Sequence, residues 1–425
     1  MSDFTLSVWR SGQAPWPSVP LGRDEAVDLA IIGGGILGLS AARQAARAGH
    51  AVRVLEAGEI GGGASGLNGG QVIPGLKYDP DTLLAMFGAA RGEALVRFAE
   101  TTADTVFDLI AAERLDVPHR RNGWIQAAHT QAAAATAEVR AGQWRARGVA
   151  TRVLSAAQMA QLTGARGYVG GWLDPRSGVI DPLAYTRELA RLAAAAGAQI
   201  ATQTRAVRLQ ADGKAWKIGL VDGGQLRARA VLVATNAYAD GLVPGLAQTL
   251  VPLHSFQIAT APLPPDLSHA ILPEGQAVSD SRRILVYYRK GPDGRLMLGG
   301  RGAMAEPRHP KAWAHLEHAL RRLFPALAGV AIERRWFGRV AMTLDHLPHL
   351  HEPAPGLLVA AGCQGRGIGL MSALGPLLAD YAFARDPAML PFPLTPIRPI
   401  PLHGLRHLGV GAAIAWYRLR DSFER

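Results

Sequence analysis

A single cysteine, Cys363, is all that this 425-residue chain contains, so no intrachain disulfide and no cysteine-built zinc cluster can form within it. Such cysteine usage fits a reducing cytoplasm. Long hydrophobic runs are also missing: Ala230–Thr235 and Leu357–Ala361 are far shorter than the ~20 residues of a membrane-spanning helix and read as buried strands. Met1–Pro20 carries Arg10 but no continuous apolar run followed by small residues, so no secretory signal peptide is expected. Acidic residues are in short supply, 34 against 45 Lys plus Arg, giving a formal charge of +11. The arginines are scattered, however. No basic block is interleaved with aromatics and no helix-turn-helix, zinc-finger or single-strand-binding signature occurs, so nucleic acid is not an expected partner. What the chain does have is length and 48% hydrophobic residues, enough for a folded protein of two domains.

Val27–Ile32 is rich in branched apolar residues without strict alternation, the composition of a strand covered on both faces of a parallel sheet. A glycine turn follows, then Leu39, Ala42, Ala45 and Ala46 at helical spacing, a stop at Gly49, and a second strand at Ala51–Leu55. Further on, the pattern predicts one helical stretch from Pro80 to Arg114, a strand at Gly123–Ala128, helices over Gln131–Arg147 and Asp181–Ala196, and a short strand near Gln199–Thr202. Asp181-Pro182 supplies an N-cap and first-turn pair. A hairpin is expected through Asp222-Gly223-Gly224 into the apolar strand at Ala230–Ala234. Phe256–Ala261, Ile284–Arg289 and Arg295–Gly300 alternate like antiparallel strands of a second domain, and Gly369–Ala384 reads as a final helix.

The strongest motif is Gly33-Gly34-Gly35-Ile36-Leu37-Gly38, a G-x-G-x-x-G between a strand and a helix. The first glycine permits the tight turn, the second lets backbone approach a pyrophosphate, and the third lets helix and strand pack closely. The helix N-terminus then faces the phosphates. Glu56, followed by Ala57, ends the second strand about 20 residues later, where a carboxylate accepts hydrogen bonds from ribose hydroxyls. A second glycine-rich segment runs from Gly61 to Gln71. Its amides and the side chains of Ser65 and Asn68 suit a ligand larger than a nicotinamide dinucleotide's ribose, and a flavin's diphosphate and ring edge would occupy them.

That segment resembles the FAD-dependent glycine oxidase and D-amino-acid oxidase superfamily. Its Asn68-Gly69-Gly70-Gln71-Val72-Ile73-Pro74-Gly75 is most similar to the gamma-glutamylputrescine oxidase branch. The likeness continues through Val231–Asn236, through Trp336-Phe337-Gly338 with Thr343, Asp345 and Pro348, and through the turn Gly362-Cys363-Gln364-Gly365-Arg366-Gly367. It implies an α/β protein: a Rossmann-type FAD-binding domain with an interleaved α+β substrate domain built on an antiparallel sheet. The expected division is 1–83, 181–245 and 336–425 for FAD and 84–180 and 246–335 for substrate. It implies FAD contacts at Gly33, Gly35, Ile36, Leu37, Gly38, Glu56 and Ala57, at Ala64, Ser65, Gly66, Asn68, Gly69, Gly70 and Gln71, and a backbone contact to adenine at Val207. Ala234, Thr235, Asn236 and Gly338 complete the wall. Gly365, Gly367, Ile368 and Gly369 would donate to the N1 and C2 edge of the flavin, with Arg366 a further cofactor contact in the same turn; reduction places negative charge at that edge, which a helix N-terminus stabilises.

Departures from sarcosine-oxidase-like relatives sharpen the expectation. Their flavin-linking cysteine has no counterpart in Arg339–Leu350, which implies non-covalent FAD; the lysine that faces their flavin is replaced by Met297, which leaves oxygen or another acceptor open; and their carboxylate-holding lysine falls near Gly369, which implies a substrate without an α-carboxylate. His254, Gln257, Tyr287, Tyr288, Arg301 and Arg366 are the candidates for substrate contact, with His254, Tyr288, Arg301 and Arg366 as the catalytic set. No metal site is expected, and His346, His349 and His351, with Pro348 among them, read as loop surface. The resemblance implies oxidation of a small amine or amino acid; a dehydrogenase of an amine or 2-hydroxy acid that passes electrons to a quinone or carrier is the alternative. His403–Trp416 with Arg406, Arg418 and Arg420 fits a docked helix or a peripheral contact with lipid or a second subunit.

Overall fold

A strand that is apolar at consecutive positions is stable only when both its faces are covered. The computed structural model describes residues 7–10, 14–22, 24–406, 411 and 416, and it places Ala26–Ile32 in the middle of an eight-stranded sheet. This strand pairs in parallel with Val52–Leu55 on one side and Gln225–Val233 on the other. Gln199–Ala201 and Leu357–Ala361 extend the parallel core, while Ala206–Asp212, Ala215–Leu220 and His349–Ala354 join it antiparallel. Leu29 and Ile31 share a core with Leu39, Leu189 and Leu374 of the helices Ile36–Arg47, Pro182–Ala195 and Gly367–Ala384. Ala30 and Ile32 point the other way, into a core with Trp216, Ile218 and Leu246.

The second sheet, also eight-stranded, runs in the order Ile332–Met342, Val251–Pro262, Arg295–Arg301, Val286–Lys290, Ala277–Asp280, Trp124–Ala128, Gly170–Asp174 and Arg152–Ser155. Its pairings are antiparallel except one: Ala277–Asp280 lies parallel to Trp124–Ala128, where the two chain segments that build the sheet meet. The strand Ile332–Met342 crosses the expected boundary at 336 and pairs along Val251–Pro262.

Local signals explain most helices. Asp181 accepts hydrogen bonds from the amides of Leu183 and Ala184 at 2.9 and 3.0 Å, the expected N-cap. The single stretch expected over Pro80–Arg114 is two helices, Pro80–Glu100 and Thr102–Ala112, and Gly88 at φ +73° interrupts the first. Ser155 and Gln158 form a reciprocal capping box for Ala156–Thr163, a helix missed in the sequence although its S-x-x-Q signature is plain. The histidine cluster is not loop surface throughout. His349–Ala354 is a strand, and buried His351 bonds through Nδ1 to the Thr395 carbonyl at 2.7 Å. No metal-binding group of His, Cys, Asp or Glu occurs among the described residues.

Gly367–Ala384 is the one helix among the described residues long and apolar enough to cross a bilayer. Its place is the interior: a Cβ on Gly375 would sit 2.6 Å from that of Ser40, so the two helices touch backbone to backbone. The expected role of His403–Trp416 falls largely outside the described residues.

Candidate active site

A cleft of about 790 Å³ opens where the carboxyl ends of the parallel strands meet the second sheet, the usual place for a ligand in an open α/β sheet. Its first wall is the glycine turn. Gly33 holds φ +120°, with Ala234 O only 3.0 Å from where its Cβ would be. At Gly35 a Cβ would lie 2.7 Å from Ser65 Oγ, and that hydroxyl accepts a hydrogen bond from the Ile36 amide at 3.0 Å. The Glu56 carboxylate accepts from the amides of Gly34 and Gly58 at 2.7 and 2.8 Å, which fixes it at the mouth of the turn.

The second glycine segment is held mainly from the side away from the cleft, with Gln257 reaching it from the cleft wall. Trp336 Nε1 and Gln257 Nε2 both donate to the Leu67 carbonyl, at 3.0 and 2.8 Å, and Trp9 Nε1 donates to that of Asn68 at 3.0 Å. Arg289 Nη1 donates to those of Gly70 and Ile180 at 2.9 and 2.6 Å. Asn68 closes the loop from within, accepting from the Gly70 amide and donating to the Ala64 and Ser65 carbonyls. Four side chains from the second sheet and the N-terminal segment thus set the carbonyls of residues 67, 68 and 70.

The last turn closes the cleft. Asn236 Oδ1 accepts from the Gly362 amide at 2.9 Å, and Gln364 Nε2 donates to Thr343 Oγ1 at 2.5 Å, bracing a turn in which Gly362, Gln364 and Gly365 all have positive φ. From the second sheet come His254, Ser255, Gln257, Tyr287 and Arg301. His254 Nδ1 lies 3.1 Å from the Ala303 carbonyl, which can only accept, so the proton is on Nδ1. Burial lowers the pKa of His254, and its Nε2 is covered and unpartnered.

Residues 28–381 match the DAO family, described as FAD dependent oxidoreductase. The chain belongs to the DAO family. It is 31% identical over 403 residues to the probable oxidoreductase OrdL of Rhizobium meliloti strain 1021, covering 93% of this chain and 92% of that protein. It is 29% identical over 427 residues to the gamma-glutamylputrescine oxidoreductase of Escherichia coli K12, covering 99% of each. The crystal structure of glycine oxidase from Geobacillus kaustophilus has the same fold, with a TM-score of 0.72 over 87% of this chain and 99% of that one at 24% identity. As a DAO-family enzyme the chain uses FAD and acts on amines or amino acids.

The cleft suits that cofactor. Its volume falls in the range of small-molecule sites, its first wall is a helix N-terminus beside a Cβ-free turn, and a carboxylate stands at the far end of that wall. Gly33–Leu37, Glu56 and the Ala64–Asn68 loop would hold the nucleotide and diphosphate, and Gly365–Ile368 the ring.

Of the positions the DAO resemblance implied for the cofactor, five do not line the cleft. Gly38, Gly66, Gly70 and Gly369 are packing glycines instead: their Cβ atoms would meet backbone oxygens of Gly33, Gly61, Ile180 and Thr102 at 2.1, 2.3, 2.2 and 2.8 Å. Val207 turns its side chain outward, which bears on neither its amide nor its carbonyl, and Thr204–Ala206 line the cleft beside it. Met297 is buried with Trp9, Leu183, Ala259 and Trp336 rather than in the cleft.

Tyr288 is a correction of another kind. It is fully buried edge-on to Phe324 in the second sheet's core, because neighbours in a strand face opposite ways and Tyr287 takes the cleft side. The Tyr287 hydroxyl pairs with Ser255 Oγ at 2.7 Å, and burial raises its pKa to about 12, so it enters the cleft as a neutral donor. Tyr287→Phe should lower kcat/KM roughly tenfold, the worth of one hydrogen bond, while Tyr288→Phe should leave it unchanged and alter stability by about 1 kcal/mol. Steady-state kinetics and urea melts of the two variants check this; equal kinetic effects would refute the assignment of faces.

Lys77, Trp124, Gln126 and Asp280 also line the cleft and were not singled out in the sequence. Lys77 alone had a local signal, one of five lysines in the chain, placed directly after the flavin loop in Pro74-Gly75-Leu76-Lys77.

Proposed function

We propose that the chain oxidises the C–N bond of a small amine or amino acid, with gamma-glutamylputrescine or a near analogue as the leading substrate. The product is an imine, which water hydrolyses to a carbonyl compound with release of ammonia or an amine. The observation that carries this reading is the continuity of the cleft: residues of the glycine turn on the first sheet and polar side chains of the second sheet line one cavity. A cofactor seated on the first faces a wall built by the second. FAD, when bound, takes up the two electrons. The full-length match to the gamma-glutamylputrescine oxidoreductase supports the substrate class.

The protein's own part is to present the amine in the right place and protonation state. His254 is neutral near pH 7, since burial lowers its pKa and the Ala303 carbonyl fixes its tautomer, so it does not repel an approaching ammonium. Tyr287 and Gln257 orient polar groups of the substrate, and Leu253, Leu285 and Trp124 limit water in the same cavity. Arg301 and Arg366 bring positive charge to the wall.

The test is to purify the yellow protein and add gamma-glutamylputrescine, sarcosine, glycine and D-amino acids anaerobically. Loss of flavin absorbance with an amine supports the proposal; loaded enzyme that none of them bleaches overturns it. Transfer of electrons to a quinone or carrier rather than oxygen is the second reading. It is supported by relatives named D-amino acid dehydrogenase, such as that of Methylobacterium sp. strain 4-46, 27% identical over 410 residues. Slow reoxidation of the bleached enzyme by air selects it.

A further inference from the structure

We propose that Gln126 is a specificity-determining residue of the cleft: its side-chain amide donates to a neutral carbonyl of the substrate and so selects amines that carry an amide group away from the reacting nitrogen. This rests on the reading that the cleft takes an amine, and it adds the group that tells one amine from another.

Strand register puts Gln126 in line with the flavin loop. Gln257 pairs with Gly299, Gly299 with Tyr287, Tyr287 with Ser279 and Ser279 with Gln126, one row across the second sheet. Side chains of paired residues share a face, and those of Gln257, Tyr287, Ser279 and Gln126 all line the cleft, so the row is its floor. Beyond Gln126 the same face is covered: the helix Gln131–Arg145 packs Ala141 into a core with Trp124 and Trp172. Gln126 therefore stands where the covered face ends and the open cavity begins.

The orientation of its amide is fixed. Gln126 Oε1 lies 3.0 Å from Arg140 Nη1 and 2.9 Å from Trp172 Nε1. Guanidinium and indole N–H groups can only donate, so the oxygen faces them and the NH2 faces away. Gln126 is half-buried, and its Nε2 has no protein acceptor among the described residues, so it presents a donor to the cavity. Its neighbours in the row are committed elsewhere. Ser279 Oγ accepts from Trp124 Nε1 at 3.0 Å and donates to Gln71 Oε1 at 3.3 Å, and Gln257 Nε2 donates to the Leu67 carbonyl at 2.8 Å. Arg140, behind the amide, is balanced by Asp79 at 2.9 Å. The exposed group is thus an uncharged donor, which suits an uncharged acceptor such as an amide carbonyl and meets an ammonium N–H to N–H.

The spacing agrees. Two strand steps, about 10 Å, separate Tyr287 from Gln126. In an N-acylated putrescine the primary amine and the carbonyl oxygen are about 8 Å apart when extended, so such a molecule reaches Gln126 while its amine lies beside Tyr287. Gamma-glutamylputrescine contains this acylated half.

The test gives the FAD-loaded enzyme three amines of equal chain length: N-acetylputrescine, heptylamine, which lacks the carbonyl, and 1,6-diaminohexane, which puts an ammonium where the carbonyl oxygen would be. The ratio of kcat/KM for N-acetylputrescine to that for heptylamine should fall about tenfold in Gln126→Met, the worth of one hydrogen bond. Gln126→Glu keeps an oxygen for Arg140 and Trp172 but turns a second acceptor to the cavity. There the ratio should fall about 100-fold, and 1,6-diaminohexane should improve about tenfold over the wild type. By calorimetry N-butylacetamide, a carbonyl compound without an amine, should bind the wild type about tenfold more tightly than Gln126→Glu.

A Gln126→Glu enzyme that holds FAD and treats the three amines in wild-type proportions overturns the proposal, as does equal affinity of the two proteins for N-butylacetamide. An enzyme that no amine bleaches defeats the amine reading instead, while the N-butylacetamide titration still decides whether Gln126 offers a carbonyl site.

Discussion

Gly35→Asp should purify as a folded, colourless protein. A Cβ at this position lies 2.7 Å from Ser65 Oγ, so the new side chain must displace the hydroxyl that receives the Ile36 amide, and its carboxylate enters the space in front of the helix N-terminus. Two like charges about 4 Å apart at an effective dielectric near 20 repel by about 4 kcal/mol, which corresponds to FAD binding weakened by roughly 10³-fold. Gly35→Ala separates the steric part from the charge. Ser65 can rotate away at the expense of one hydrogen bond, so a loss of only about tenfold is expected. Titration of the apo forms with FAD gives both numbers. An aspartate variant that retains full flavin occupancy removes the diphosphate from this turn and with it the basis of the cofactor assignment.

The contrast between Gly35 and Gly38 shows what could and could not be read from the chain. Both belong to the glycine motif, and a glycine marks only that something approaches closely. At Gly35 the approach is open cavity and a hydroxyl; at Gly38 it is the carbonyl of Gly33, and the same holds for Gly66, Gly70 and Gly369 against other backbone. Sequence cannot distinguish a backbone neighbour from a ligand. The parallel core was legible because burial on both faces leaves an unbroken run of apolar residues at Leu29–Ile32 that no half-exposed strand would carry. The phase of Val286–Lys290 was not. Alternation separates Tyr287 from Tyr288, but which of them faces the cleft depends on the helix Ala314–Leu323 and the Phe324 ring covering the opposite side, contacts made some 30 residues away. Lys77 was missed for a related reason. Its segment has no periodicity, and its meaning comes from Arg366, almost 300 residues later, arriving beside it. The expectation of a substrate without an α-carboxylate rested on Gly369 alone, and the structure packs Gly369 against Thr102 while cations reach the cleft from other loops.

Arg289→Met should cost about 3 kcal/mol of stability and, separately, weaken FAD binding about tenfold under conditions where the variant is fully folded. Arg289 is buried, and its guanidinium donates to the Gly70 and Ile180 carbonyls at 2.9 and 2.6 Å and lies 5.1 Å from the Trp9 ring. Burial pulls its pKa down to about 9, with Asp181 opposing, and Asp181 in turn caps the helix Pro182–Ala195. Methionine fills much of the same space but leaves two buried carbonyls without their donor, each worth about 1–3 kcal/mol. The stability term alone would accompany any such loss. The cofactor term arises because Gly70 adjoins Asn68 and Gly69, which line the cleft, and a loop released at Gly70 orders itself at the expense of binding. Arg289→Lys keeps the charge and one donor direction, so partial recovery of both quantities is expected. Urea midpoints and FAD titrations well below the midpoint separate the two. A methionine variant of lowered stability that binds FAD as tightly as the wild type would show that Arg289 supports the fold without setting the flavin loop, and the same result would shift that role to Trp9 and Trp336, whose indole donors hold the carbonyls of Asn68 and Leu67.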